Sequence, residues 1–69
     1  MSRIVITVNG DNEAVESGST IRDFLKKLDL PEKNIAIEHN GEFLTGEKAL
    51  DATLNDGDRI ELVRFVGGG

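Results

Sequence analysis

Two Asn-Gly dipeptides, Asn9-Gly10 and Asn40-Gly41, each stand between short runs rich in β-branched or alternating residues, and they commit much of the chain to two tight antiparallel hairpins. A two-residue hairpin loop that follows the right-handed twist of its strands needs positive φ at both central positions, which Asn tolerates and Gly adopts without steric cost. Before the first dipeptide, Arg3-Ile4-Val5-Ile6-Thr7-Val8 places Ile4, Ile6 and Val8 on one face and Arg3, Val5 and Thr7 on the other. After it, a second strand is expected near Glu13-Ala14-Val15-Glu16, with Val15 inward. Around the second dipeptide, Ile35-Ala36-Ile37-Glu38-His39 reads as a strand with Ile35 and Ile37 inward, followed by a short strand over Glu42-Phe43-Leu44-Thr45.

Between the hairpins the period changes from two to 3.6. Ile21, Phe24, Leu25 and Leu28 form one apolar stripe, and Arg22, Asp23, Lys26, Lys27 and Asp29 occupy the opposite face. Ser19 or Thr20 can cap the start of this helix, and Pro31, by restricting Leu30, ends it at about that point. Gly46 through Asn55 is weakly patterned, with Ala49, Leu50 and Leu54 tucked under the sheet edge. After the Asp56-Gly57-Asp58 turn, Arg59-Ile60-Glu61-Leu62-Val63-Arg64-Phe65 is the last strand. The order of hairpin, helix, hairpin, crossover and strand predicts an α+β fold of the β-grasp, or ubiquitin-like, kind. It has a mixed sheet of about five strands with one main helix across one face. The helix-containing crossover lets the first and last strands lie parallel at the sheet centre.

With 69 residues the chain makes one small domain, expected over residues 1–66 with a flexible glycine tail at 67–69. A domain of this size buries only about 60% of the surface exposed by its unfolded chain. It has no Cys and one His, so neither disulfides nor a Cys/His zinc site can brace it, and no thiol nucleophile is present. The excess of 13 acidic over 8 basic residues repels phosphate backbones, which argues against nucleic acid. Ile4-Val5-Ile6 is far too short to span a membrane, and the chain is expected to be soluble, unprocessed at its start and cytoplasmic.

No catalytic or metal constellation emerges. His39 has no Ser, Cys or second His placed to complete a site and is expected to be a solvated strand-end histidine. Asp56-Gly57-Asp58 lacks the remaining ligands of a calcium loop and reads as a turn. In the last strand, Val63 and Phe65 share the parity of Glu61, so either a bulge shifts the register or the outer face becomes apolar. Val5 and Ala36 fall on that face too. With Val66 at the root of the tail, Val5, Ala36, Val63 and Phe65 are candidate partner-binding residues. Terminal glycines are ordinarily frayed ends. Here Gly67, Gly68 and Gly69 follow an outward-aimed strand and can enter a narrow channel, which makes the Gly69 carboxylate the one reactive feature. A carboxylate is a poor acyl donor until another protein activates it, for example as an acyl-adenylate, so the chain is expected to be no enzyme itself.

Along its whole length the chain resembles the ThiS-type sulfur carriers of thiamine biosynthesis, within the ubiquitin-like β-grasp (ThiS/MoaD) family. The marks are Val8-Asn9-Gly10, Gly18-Ser19-Thr20-Ile21 with Leu25 and Leu28, Ile35 through Gly41, Asp56-Gly57-Asp58 before Ile60-Glu61, and Val63 through Gly69. The resemblance implies that Gly69 is adenylated by a ThiF-like enzyme using ATP and converted to a thiocarboxylate. Sulfur would come from a donor such as a cysteine desulfurase and pass to a ThiG-like thiazole synthase. The terminal Gly-Gly that the family requires corresponds to Gly68 and Gly69, with no intrinsic cofactor. The same tail chemistry also fits carriers for molybdopterin or tRNA thiolation and protein modifiers. A reading of another class is a passive ubiquitin-like binding module.

Overall fold

The two expected hairpins form, and each closes through its Asn-Gly pair. The computed structural model describes residues 2–64, so Phe65, Val66 and the glycine tail, with the expected domain boundary, lie outside the described residues. Strand β1 (Arg3–Val8) pairs antiparallel with β2 (Asp11–Glu16), and β3 (Ile35–His39) with β4 (Glu42–Leu44). Positive φ at Asn9 (50°) and Gly10 (89°), and again at Asn40 (53°) and Gly41 (88°), gives both turns the primed geometry. Because that geometry matches strand twist, pairing begins directly at Val8↔Asp11. The second strand therefore starts at Asp11, two residues before the expected Glu13.

Helix α1 (Ile21–Lys27) is set at both ends by hydrogen bonds between near neighbours. At its start the Asp23 amide donates to Thr20 Oγ1 (3.2 Å) while the Thr20 amide donates to Asp23 Oδ2 (3.0 Å). This reciprocal capping box satisfies two amides at the helix start. At its end, Asp29 takes φ 58°. The Leu30 amide then reaches the Leu25 carbonyl at 2.9 Å and the Asp29 amide reaches that of Lys26 at 3.1 Å. This is a Schellman closure. It stops the helix at Lys27, earlier than Pro31 alone implied, and leaves Leu28 at the C-cap, 42% exposed. Leu28 thus drops out of the expected apolar stripe, and Leu30 packs against the core at that end instead.

The sheet order is β2-β1-β5-β3-β4, in which β5 (Arg59–Arg64) is central, parallel to β1 and antiparallel to β3. A short second helix, α2 (Gly46–Leu50), lies in the crossover, and Ala49, Leu50 and Leu54 are buried as expected. Ile6, Leu25 and Ile60 are essentially sealed from solvent between the sheet and α1. The Leu54 amide donates to the Ser19 carbonyl (2.8 Å) and the Ile21 amide to that of Ala52 (3.1 Å), which ties the crossover to the start of α1. Arg22 strengthens the tie by bonding Glu47 and Asp51, with Glu32 at 3.6 Å.

Candidate functional site

β5 delivers the chain toward its glycines, and three sets of contacts hold it. On one side β3 pairs with it from His39↔Ile60 to Ile35↔Arg64 in unbroken register. On the other, β1 ends at Val8, and the side chain of Asn9 takes over. The Leu62 amide donates to Asn9 Oδ1 (2.8 Å) and Asn9 Nδ2 donates to the Leu62 carbonyl (3.2 Å). A side-chain amide here substitutes for a strand's peptide group, so β5 stays paired on both edges as far as Leu62. The sequence shows Asn9 only as a turn former; nothing in its neighbours announces a bond to a residue 53 positions away.

The continuous register settles the phase of the last strand without a bulge. Ile60 is buried and Leu62 packs against the core, while Val63 points outward, 52% exposed and directly opposite half-buried Ala36. The next outward row is Glu61↔Glu38↔Phe43, with Phe43 69% exposed. Val5 is exposed on the same side of the sheet but does not join this patch. With Thr7 opposite Arg59, it lies level with Gly57, whose amide donates to the Val5 carbonyl (2.8 Å). Val63 is six residues further along the strand direction, roughly 20 Å away at about 3.3 Å per residue. Of the candidate patch, the structure unites Ala36 and Val63, sets Val5 apart and adds Phe43. Phe65, Val66, Gly67, Gly68 and Gly69 lie outside the described residues.

At the opposite end of β5, Asp58 is a buried hub, 7% exposed. Its Oδ2 accepts from His39 Nε2 (2.8 Å) and the Asn55 amide (2.9 Å), and its Oδ1 from Asn40 Nδ2 (3.0 Å). Asn40 Oδ1 in turn accepts from the Arg59 amide (2.8 Å), which fixes the orientation of the Asn40 amide. Burial pushes the Asp58 carboxyl up, but hydrogen bonds from Asn40, His39 and the Asn55 amide outweigh it and hold the group below its ordinary value. The expectation of a solvated His39 is corrected: its side chain is 12% exposed and is held beneath the second hairpin by a hydrogen bond to the Asp58 carboxylate. A recess of about 300 Å³ opens beside the hub, lined by His39, Asn40, Glu42, Leu44, Asn55 and Asp58. Since the Asp58 oxygens are already taken by internal donors, the cluster acts as a latch between the β3–β4 turn and the start of β5. Among the described residues, no three His, Asp or Glu side chains converge as metal ligands.

The ThiS family model matches residues 5–69, nearly the whole chain. The chain belongs to the ThiS family. Consistent with this ThiS-family assignment, the fold overlays the crystal structure of the thiamine biosynthesis protein ThiS from Geobacter metallireducens with a TM-score of 0.77 at 32% identity, covering 96% of this chain and 100% of that one. Sulfur carrier protein ThiS from Bacillus subtilis is 36% identical over 66 residues, 94% of this chain and 100% of that protein. A thiazole synthase from Paramagnetospirillum magneticum is 30% identical over 64 residues, 93% of this chain but only 20% of the larger protein. The ThiS-family chain thus spans about a fifth of that relative's length.

Proposed function

We propose that the chain is a sulfur carrier of thiamine biosynthesis, with the Gly69 carboxylate as the atom-carrying group. An oxygen of that carboxylate attacks the α-phosphorus of ATP in a ThiF-like enzyme, and pyrophosphate leaves. The terminal sulfur of a persulfide on a donor such as a cysteine desulfurase then attacks the acyl carbon and AMP departs; a thiol cleaves the resulting acyl disulfide, becoming oxidised to a disulfide, and a thiocarboxylate remains for the thiazole synthase. The chain supplies no catalytic group of its own to these steps; its contribution is to present the acyl carbon.

The observation that carries this reading is the family match continuing to residue 69 on a fold whose central strand leads into the glycines. The larger relative named thiazole synthase, which has a stretch similar to this chain, supports thiazole synthase as the acceptor. Any three residues of chain span at most roughly 10 Å at about 3.3–3.6 Å per residue, a reach that suits entry into a partner's active site. No helix in the described residues is long and apolar enough to cross a membrane. Cytoplasmic residence is part of the proposal.

The test is intact-mass analysis after incubation with a ThiF-like enzyme, ATP and a sulfur donor. Replacement of one oxygen by sulfur, abolished by deleting Gly69 with folding intact, is the expected result. A chain left unmodified where a known carrier is converted overturns the proposal.

A further inference from the structure

Both hairpin turns carry a dipeptide whose backbone can attack its own side chain, and the fold restrains the two side chains unequally. In an Asn-Gly pair the glycine has no Cβ, so its amide nitrogen approaches the preceding Asn Cγ without hindrance. The nitrogen bonds to Cγ, the Cγ–Nδ2 bond breaks, and ammonia leaves with the proton given up by the glycine amide. Solvent water then opens the cyclic imide at either carbonyl, leaving aspartate or its iso-linked isomer. To reach that geometry each Asn must first release what it holds. Asn9 holds only the main chain of Leu62: Oδ1 accepts from the amide at 2.8 Å and Nδ2 donates to the carbonyl at 3.2 Å, and both bonds are exposed. Asn40 Oδ1 likewise accepts an exposed bond from the Arg59 amide at 2.8 Å. Its Nδ2, however, donates at 3.0 Å to Asp58 Oδ1 in a part-buried bond that ends on a carboxylate. Such charge-assisted bonds are roughly twice as strong as neutral ones. Attack at Cγ also builds negative charge on Oδ1, which the neighbouring Asp58 carboxylate opposes at Asn40.

We propose that Asn9 is a self-modification site of the folded protein, converting to aspartate or iso-aspartate ahead of Asn40, and that the conversion loosens β5 at Leu62. The product carboxylate has no N–H to return to the Leu62 carbonyl, and the iso-linked form adds a main-chain carbon to a two-residue turn. Pairing of β1 with β5 reaches only Val8↔Ile60, so the Asn9 side chain is what holds that edge of β5 at Leu62. Sequence alone does not separate the two sites, since each is an Asn-Gly turn. The conversion does not depend on the sulfur-carrier reading.

The experiment incubates the full chain at mildly alkaline pH, folded in buffer and unfolded in guanidinium chloride, and follows aspartate and iso-aspartate at both positions by peptide mapping. The unfolded chain should convert the two sites at comparable rates. In the folded chain Asn9 should convert at least about fivefold faster than Asn40. Asp58→Asn, shown by circular dichroism to be folded under the same conditions, should bring the Asn40 rate toward that of Asn9; if that variant unfolds, the wild-type ratio decides alone. In the isolated iso-linked product the Leu62 amide should exchange with deuterium at least about tenfold faster than in wild type. Equal rates at the two sites in the folded chain, faster conversion of Asn40, or the same Asn9 preference in the unfolded chain overturns the proposal. So does an Asn9 left intact while the unfolded chain is fully converted. Unchanged Leu62 exchange in the iso-linked product overturns the loosening of β5.

Discussion

Replacing Asp58 with Ala removes an acceptor from three donors at once: His39 Nε2, Asn40 Nδ2 and the Asn55 amide. A fully buried donor left unpaired costs about 1–3 kcal/mol. Three such losses would exceed what a small domain can spare, but the recess beside Asp58 admits water to part of the cluster. A net loss of about 2–4 kcal/mol follows, against a total stability of roughly 5–15 kcal/mol. For a domain of this length each kcal/mol shifts the unfolding temperature by about 4–8 °C, so a fall of roughly 10–30 °C is expected. Thermal and urea unfolding followed by circular dichroism at neutral pH would measure it. Asp58→Asn is the finer probe of the geometry. Its oxygen can keep His39 and Asn55, but its NH2 then confronts Asn40 Nδ2, and Asn40 cannot rotate away without losing the Arg59 amide. Asp58→Asn should therefore fall between wild type and Asp58→Ala. A loss below about 1 kcal/mol for the alanine variant would refute the hub argument, because surface substitutions produce effects of that size.

The remaining predictions concern pH and the helix stripe. The Asp58 carboxyl is held below its ordinary value in the folded protein, so on acidification the unfolded chain takes up that proton first. Its contribution to stability is complete above the unfolded Asp value of about 3.9 and is lost as pH falls through the folded value. Acid unfolding should be less steep in Asp58→Asn, and an identical pH profile would sink the assignment. Leu25→Ala, at a fully buried position, should cost about 2–5 kcal/mol and threaten folding. Leu28→Ala should cost less than about 0.5 kcal/mol, because Leu28 lies outside the core. Comparable urea midpoints for the two variants would contradict the early closure of α1.

The features that the sequence alone determined are those set by near neighbours. Asn9-Gly10 and Asn40-Gly41 specify their turns through φ, Thr20 and Asp23 cap α1 across three residues, and alternation assigns Ile6, Val15, Ile37 and Ile60 to the core. The element order, with a helix between hairpins and a final strand, was enough to place β5 parallel to β1. Tertiary structure decided the features that depend on register between distant segments. The alignment of β1 with β5 separates Val5 from Val63, although both are outward valines on neighbouring strands. The alignment of β3 with β5 and β4 places Glu38 between Glu61 and Phe43. Asn9 bonds Leu62 and His39 bonds Asp58 across stretches in which local preference is silent. A one-residue slip would turn each of these side chains to the other face, and only packing of the whole core excludes that slip.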